Sequence, residues 1–233
     1  MFSVSALGEL LIDFTDAGTS AGGQRLFERN AGGAPANVLV ALQKLGHRTA
    51  FLGKVGDDMH GAFLRATLEA NGIDTTGLIS DPDAFTTLAF VALSANGERE
   101  FSFARKPGAD TRITADELAR DVIVDSRVFH VGSLSLTDEP ARSATLAALD
   151  AAREAGCVLS YDPNYRANLW PSVDAAVAQM RSVVGRMDLM KLSDEECELL
   201  TGEKDPRAAA DALLGAGPKV VAVTLGAGGA YVA

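Results

Sequence analysis

Strand-like and helix-like segments alternate along most of the chain, and this alternation limits the folds available to it. Apolar runs at Phe2 to Leu7 and Thr49 to Val55 are typical of buried strands. Between them, residues 34–45 repeat apolar side chains at the i, i+3, i+4 and i+7 spacing of a helix. Such a βαβ unit predicts an α/β fold with a mostly parallel sheet covered by helices on both faces.

The alternation continues toward the C-terminus. Further strands are predicted at 128–131, 158–161, 189–192 and 219–224, and further helices at 58–70, 140–155, from Ser193, and at 205–214. The last residues predict a strand, a glycine turn and the opening of another strand. We therefore expect one domain over 1–233.

Two stretches interrupt this rhythm and predict a small accessory sheet. Residues 10–14 with 24–29, and 86–93 with 100–105, alternate apolar and polar side chains as hairpin strands do, and a turn is predicted at 94–98. We expect these strands, inserted at about 10–29 and 86–105, to form a sheet with one solvated face outside the main body.

Charge and composition exclude several classes of protein. The chain has 233 residues, 47% of them hydrophobic, and a net charge of −10. That sign opposes nonspecific binding to nucleic acid or anionic lipid, so an anionic ligand needs a local pocket of donors. The N-terminal residues lack the basic region of a secretory signal, and no apolar run approaches the length of a membrane span, so we expect a cytoplasmic protein.

Common catalytic motifs are absent from the sequence. There is no GxxxxGK[ST] phosphate loop, no HExxH and no GxSxG, and GAGG at 226–229 is not a dinucleotide fingerprint. The more informative pattern is Gly32-Gly33 before Pro35 and Asn37, at the start of the first helix. Paired glycines let backbone approach a ligand closely, and helix N-terminal amides favour oxygen atoms, but a tight loop alone would also explain this pattern.

Several ordered blocks resemble the PfkB, or ribokinase-like, family of carbohydrate kinases. They are GELLIDF at 8–14, AGGAPANVLVALQKLG from 31, FLGKVGDDMHG from 51, FSFARKPGAD at 101–110, DPNYRANLW at 162–170, KLSDEECELLTG at 191–202 and VTLGAGGAYV at 223–232. The resemblance implies the ribokinase-like fold with a small β-sheet lid. It also implies ATP-dependent phosphorylation of the 6-hydroxyl of fructose, with 2-keto-3-deoxygluconate as an alternative acceptor.

The resemblance also assigns roles to individual residues. Arg166 would stabilise the transferred phosphoryl group, where developing negative charge needs a cation. The positions that match the sugar site are Asp13, Gly32, Gly33, Asn37, Phe103 and Arg105. The positions that match the Mg²⁺-ATP site are Lys191, Ser193, Glu196, Thr224, Gly226 and Gly229. Ser193 and Glu196 also form a capping-box sequence, which explains both residue types without a ligand, whereas the family role of Glu196 is to organise magnesium-bound water.

One part of the family pattern is missing. The resemblance implies a GAGD motif after the glycine turn, whose Asp takes the proton from the acceptor hydroxyl, and the sequence contains no such motif. We therefore expect the chain to be a fragment of a longer kinase, and a noncatalytic sugar-binding regulator is the alternative. The edges of the inserted strands further predict a homodimer formed through the lid.

Overall fold

The computed structural model describes residues 1–93 and 99–233, so the predicted turn at 94–98 lies outside the described residues. Within them the strands are β1 (Phe2–Leu7), β2 (Leu11–Thr19), β3 (Arg25–Gly32), β4 (Thr49–Gly56), β5 (Asp74–Asp81), β6 (Leu88–Leu93), β7 (Arg99–Ala104), β8 (Ser126–Gly132), β9 (Val158–Asp162), β10 (Leu189–Ser193), β11 (Val220–Thr224) and β12 (Ala230–Val232). The helices are α1 (Ala34–Lys44), α2 (Met59–Ala70), α3 (Arg120–Val124), α4 (Ala141–Glu154), α5 (Val173–Val184), α6 (Asp194–Thr201) and α7 (Pro206–Ala216). No helix in these ranges is long and apolar enough to cross a membrane.

The main sheet has eight strands in the order β12-β11-β10-β9-β8-β1-β4-β5. Its neighbours are parallel except for β12, which runs antiparallel to β11. Strand β1 lies between β4 and β8, with Leu7 paired to Leu52 on one side and to Val131 on the other. The chain therefore builds the sheet outward in both directions from β1, and ligands of open α/β sheets bind at the carboxyl ends beside such a switch point.

Two apolar cores form on this sheet. Helices α1 and α2 contribute Leu39, Leu64 and Leu68 to one core, which includes Phe51 of β4. Helices α3 to α7 contribute to the other core, which includes Phe129 of β8. The predicted mostly parallel sheet with helices is confirmed.

Helical cover on both faces holds for only part of the sheet. Along β9 and β11, buried and more exposed residues alternate, and the exposed fractions of Val158 and Val220 are both 38%. On β12, Val232 is 61% exposed. Right-handed crossovers that progress in one direction place their helices on one face of a sheet, so among the described residues no helix covers the other face of the β9-to-β12 half.

The second sheet contains four strands in the order β3-β2-β6-β7, and we call it the lid sheet. Both predicted hairpin pairs are antiparallel, and β2 pairs with β6 in parallel. Phe14 and Phe90 stack with ring centroids 5.2 Å apart, and Phe27 meets Phe90 edge-on at 6.0 Å. Strand β2 runs five residues beyond its predicted end at Phe14, to Thr19.

Candidate active site

A cavity of about 600 Å³ lies where the carboxyl ends of β1 and β8 meet the lid sheet. Of the residues predicted from sequence, it is lined by Asp13, Gly33, Asn37, Phe103 and Arg166. These residues come from β2, the start of α1, β7 and the loop after β9, and are separated by up to about 150 positions in the chain. The fold therefore brings most of the predicted sugar site together at the switch point.

Asp13 contributes a half-buried carboxyl group to this cavity. Burial raises its pKa above the ordinary aspartate value, and the positive charge of Arg166 partly offsets that effect. Gly32 lies beside it on β3, and a Cβ atom at that position would collide with the Asp13 carboxylate. Glycine is therefore needed at position 32 to leave space for the Asp13 side chain, and Gly32 itself does not line the cavity.

The start of α1 forms a second wall. Gly33 is the N-cap residue with φ of 116°, and a Cβ there would collide with the Glu9 carbonyl oxygen, so only glycine fits this conformation. Its carbonyl accepts the Asn37 amide proton at 3.0 Å, the first turn of the helix. Asn37 then presents a side-chain amide, both donor and acceptor, to the cavity.

Two aromatic rings of β7 close the lid side. Phe101 and Phe103 are stacked with centroids 6.2 Å apart and 13° between their planes, and both line the cavity. The Arg166 guanidinium carbon lies 5.7 Å from the Phe101 ring centroid. An apolar wall and a cation therefore face the carboxylate of Asp13.

Arg105 is placed differently from its predicted contact with the sugar. The guanidinium is buried and donates to Asp110 Oδ2 at 2.8 Å, to Thr137 Oγ1 at 2.8 Å and to the Leu134 carbonyl at 2.8 Å. It does not line the cavity described above. Its charge is held by Asp110 inside the protein, where it joins the end of β7 to the main body.

The predicted nucleotide residues lie along the carboxyl ends of β10 and β11. Ser193 and Thr224 are register partners on these strands, and Lys191 Nζ lies 3.1 Å from Asp162 Oδ2. Gly226 and Gly229 follow in an exposed turn with φ of 54° and 92°. A Cβ atom added to either glycine would have no described atom within 4 Å, apart from its chain neighbours. This open space leaves room for phosphate groups.

Glu196 has the structural role that its capping-box sequence predicts. Its Oε2 accepts the Ser193 amide proton at 2.8 Å, and Ser193 Oγ accepts the Glu196 amide proton. In addition, its Oε1 accepts the Tyr165 amide proton at 2.7 Å. This buried carboxylate therefore ties α6 to the loop that carries Arg166, a link that the local sequence does not reveal.

Glu9 lines the cavity but was assigned no site role from the sequence. It follows β1, is 2% exposed, and accepts the Ala34 amide proton at Oε1 at 3.0 Å. Burial raises its pKa to about 7. The sequence signal that could have identified Glu9 is a charged residue within the apolar run that follows the first strand.

Comparison with known proteins identifies the family. The model of the pfkB family of carbohydrate kinases matches residues 1–233. The chain belongs to this family. Among curated relatives of this pfkB-family chain, Fructokinase-1 of Zea mays is 50% identical over 201 residues, covering 85% of the chain and 62% of the relative. Fructokinase-2 of Solanum lycopersicum is 46% identical over 226 residues, covering 96% and 69%.

Solved pfkB-family structures agree with the architecture. The fructokinase from Xylella fastidiosa with bound ATP has a TM-score of 0.91 at 34% identity, covering 100% of this chain and 75% of that one. The fructokinase from Vibrio cholerae, in a form bound to fructose, ADP and calcium ion, has a TM-score of 0.88 at 35% identity, covering 100% and 73%. The chain spans 62% of the length of the first curated relatives it matches.

Proposed function

We propose that the protein acts as an ATP-dependent kinase that phosphorylates the 6-hydroxyl of fructose. The observation that carries this proposal is one cavity at the switch point that combines the Asp13 carboxylate, the Asn37 amide, the Phe103 ring and the Arg166 cation. Similarity to proteins named fructokinase, at 46–50% identity, supports the choice of acceptor.

Each side chain suits one task in this reaction. The Asp13 carboxylate can accept hydrogen bonds from two adjacent sugar hydroxyls, and Asn37 can donate and accept. The Phe103 ring covers an apolar sugar face, and closure of the lid sheet would keep out water, which competes as phosphoryl acceptor. Arg166 lies on the same side as the strand ends that would carry the nucleotide, where its charge would stabilise the phosphoryl group in transfer.

The residues at the ends of β10 and β11 fit Mg²⁺-ATP, which would supply the phosphoryl group. Lys191 offers a cation, and the turn at Gly226 and Gly229 offers backbone amides in open space. Magnesium usually keeps several waters and binds substrate phosphates. Because both Glu196 oxygens already accept backbone amide protons, we propose that Glu196 reaches the metal shell through water.

A coupled assay of ADP release tests the acceptor. The full-length gene product is expected to turn over with fructose in preference to 2-keto-3-deoxygluconate, ribose and adenosine. Asp13→Asn is expected to weaken fructose binding about 10- to 100-fold, the cost of one lost charge-assisted hydrogen-bond partner. Asp211→Asn, which removes an exposed acid on α7, is the charge-matched control and should bind as the wild type. Unchanged binding by Asp13→Asn would contradict this placement of the sugar.

A 2-keto-3-deoxygluconate kinase is the second candidate, because Arg166 puts a cation in the cavity. That substrate carries a carboxylate, and two free arginines would hold it best. Arg105 is engaged by Asp110, so the geometry favours the uncharged sugar. Sugar binding without turnover by the full-length product would instead support the noncatalytic regulator.

We also propose a homodimer formed through the lid sheet. Leu26 and Phe27 of β3, an outer strand of that sheet, are 44% and 49% exposed. Phe27→Ser is expected to raise the dimer dissociation constant at least tenfold in sedimentation equilibrium. Val220→Thr, which alters the open face of the main sheet, is the control. Equal loss of the dimer in both variants would contradict a dimer interface on the lid sheet.

A further inference from the structure

We infer that Glu9 is a sugar-binding residue, with Oε2 accepting a hydrogen bond from a substrate hydroxyl at the floor of the cavity. This inference rests on the proposed sugar-kinase function and extends it to a residue beyond the motif positions. It is carried by the position of Glu9 in the cavity wall and by the unequal use of its two carboxyl oxygens.

Only one of these oxygens has a partner within the described residues. Oε1 accepts the Ala34 amide proton at 3.0 Å, which holds the first turn of α1 in place. Oε2 is buried and has no hydrogen-bond partner in the described part of the chain. A carboxyl oxygen buried without a partner destabilises the folded protein, so a ligand group that donates a hydrogen bond to it gains binding affinity.

Neighbouring groups do not supply the missing partner. Arg105 acts on Glu9 through its charge, but its guanidinium is used by Asp110, Thr137 and the Leu134 carbonyl. On the other side, a Cβ built on Gly132, at the end of β8, would lie 4.0 Å from Oε2. At that distance even an added Cβ would only touch the oxygen, and Glu9 lines the same cavity as Asp13 and Asn37.

The charge state of Glu9 predicts how sugar affinity changes with pH. Burial raises its pKa to about 7, opposed by the Ala34 amide and by Arg105, while Asp110 adds to the increase. A hydroxyl that donates to Oε2 stabilises the ionised form, because hydrogen bonds to a carboxylate are stronger than those to a neutral acid. Sugar affinity should therefore rise as the pH increases through about 7. Asp13 and Arg166 share the cavity and are present in every variant, so the difference between variants isolates Glu9.

The Glu9→Gln variant separates this role from a purely structural one. Its amide oxygen can still accept the Ala34 amide proton, whereas its NH₂ group replaces the acceptor Oε2 with a donor. We expect fructose to bind this variant about 10- to 100-fold more weakly than wild type at pH 8 in titration calorimetry, with the difference shrinking at pH 6. Ser5→Ala removes another buried polar atom that has no partner among the described residues and lies outside the cavity, and this variant should bind within twofold of wild type.

A set of monodeoxyfructoses identifies the donor. The sugar that lacks the hydroxyl facing Glu9 should bind wild type and Glu9→Gln about equally, whereas the other sugars retain the difference. A structural role alone would weaken all of them equally, and that result would overturn the inference. Equal fructose affinity in wild type and Glu9→Gln would also overturn it and leave the kinase proposal intact. Failure of wild type to bind any sugar would overturn both.

Discussion

Buried ionisable side chains set the behaviour of this protein at the scale of single residues. His130 on β8 is 6% exposed, and its Nδ1 lies 3.0 Å from Ser160 Oγ on β9. Burial, reinforced by the charge of Lys191, lowers its pKa from 6.5 to about 4. The folded protein therefore holds this imidazole neutral at pH values where the unfolded chain binds a proton.

The pH dependence of stability follows from that difference. A depressed folded-state pKa contributes stability that is present above 6.5 and is lost as the pH falls toward 4, in total about 3 kcal/mol. In urea unfolding between pH 7.5 and 4.5, wild type should lose more stability than His130→Gln, which does not titrate. His47→Gln, an exposed site, should follow the wild-type curve. Parallel curves for wild type and His130→Gln would contradict the assignment.

Two glycines at the site, Gly32 and Gly33, also have roles that depend on single-residue geometry. Gly33 needs φ of 116° and has the Glu9 carbonyl against its α-carbon, and both facts are hidden in a sequence that shows only a glycine pair. The pattern predicted a ligand loop at this position, and in the structure Gly33 lines the cavity. It could not show that Gly32 makes space for Asp13, because that contact forms only when β2 and β3 pair.

At the scale of elements, the lid sheet is attached to the main body by a buried polar cluster. Arg105 at the end of β7 pairs with Asp110, and Asp110 Oδ1 accepts the hydroxyl proton of Thr87, just before β6. The Thr87 carbonyl in turn accepts the Ile12 amide proton on β2, next to Asp13. Three lid strands are thus fixed where they leave the body.

Thr87 tests this attachment. Thr87→Val keeps the shape but leaves Asp110 Oδ1 without its hydroxyl donor, and we expect the free energy of unfolding to fall by about 1–3 kcal/mol. Thr87→Ser keeps the hydroxyl and should cost less than half as much. Urea denaturation measures both values, and an unchanged free energy of unfolding in Thr87→Val would contradict the role of this hydrogen bond.

Most elements could be predicted from local periodicity, and the exceptions have identifiable causes. Strand β5 was not predicted, since DTTGLISD is neither regularly alternating nor continuously apolar. Helix α5 was not predicted either, although Ala176, Met180, Val183 and Val184 repeat at helical spacing and are buried. For α5 the sequence signal exists, whereas β5 becomes a strand through its pairing with β4.

At the scale of the whole molecule, one sheet joins two apolar cores. Leu39 of α1 lies in one core and Leu149 of α4 in the other, 0% and 1% exposed. Because β1, β4 and their neighbours contribute to both cores, loss of packing on one face weakens the sheet that the other face needs.

This architecture predicts cooperative unfolding. Leu39→Ala and Leu149→Ala should each lower the free energy of unfolding by about 2–5 kcal/mol. Each should shift a single transition, monitored together by circular dichroism and by the fluorescence of Trp170, which lies in the Leu149 core. Two separate transitions in the Leu39→Ala variant would show that the cores unfold independently.

The sequence alone determined the βαβ progression, the two inserted hairpins, the family and the glycine loop before α1, because these features depend on local periodicity or on residue types at short spacing. Tertiary structure decided which face of β9 to β12 the described helices cover, that Arg105 pairs with Asp110 inside the protein, that Glu196 supports the Arg166 loop, and that Glu9 lines the cavity. Those outcomes depend on burial and on partners that lie roughly 5 to 30 positions away in the sequence. The direction of a side chain and its hydrogen-bond partners exist only after the strands and helices have packed.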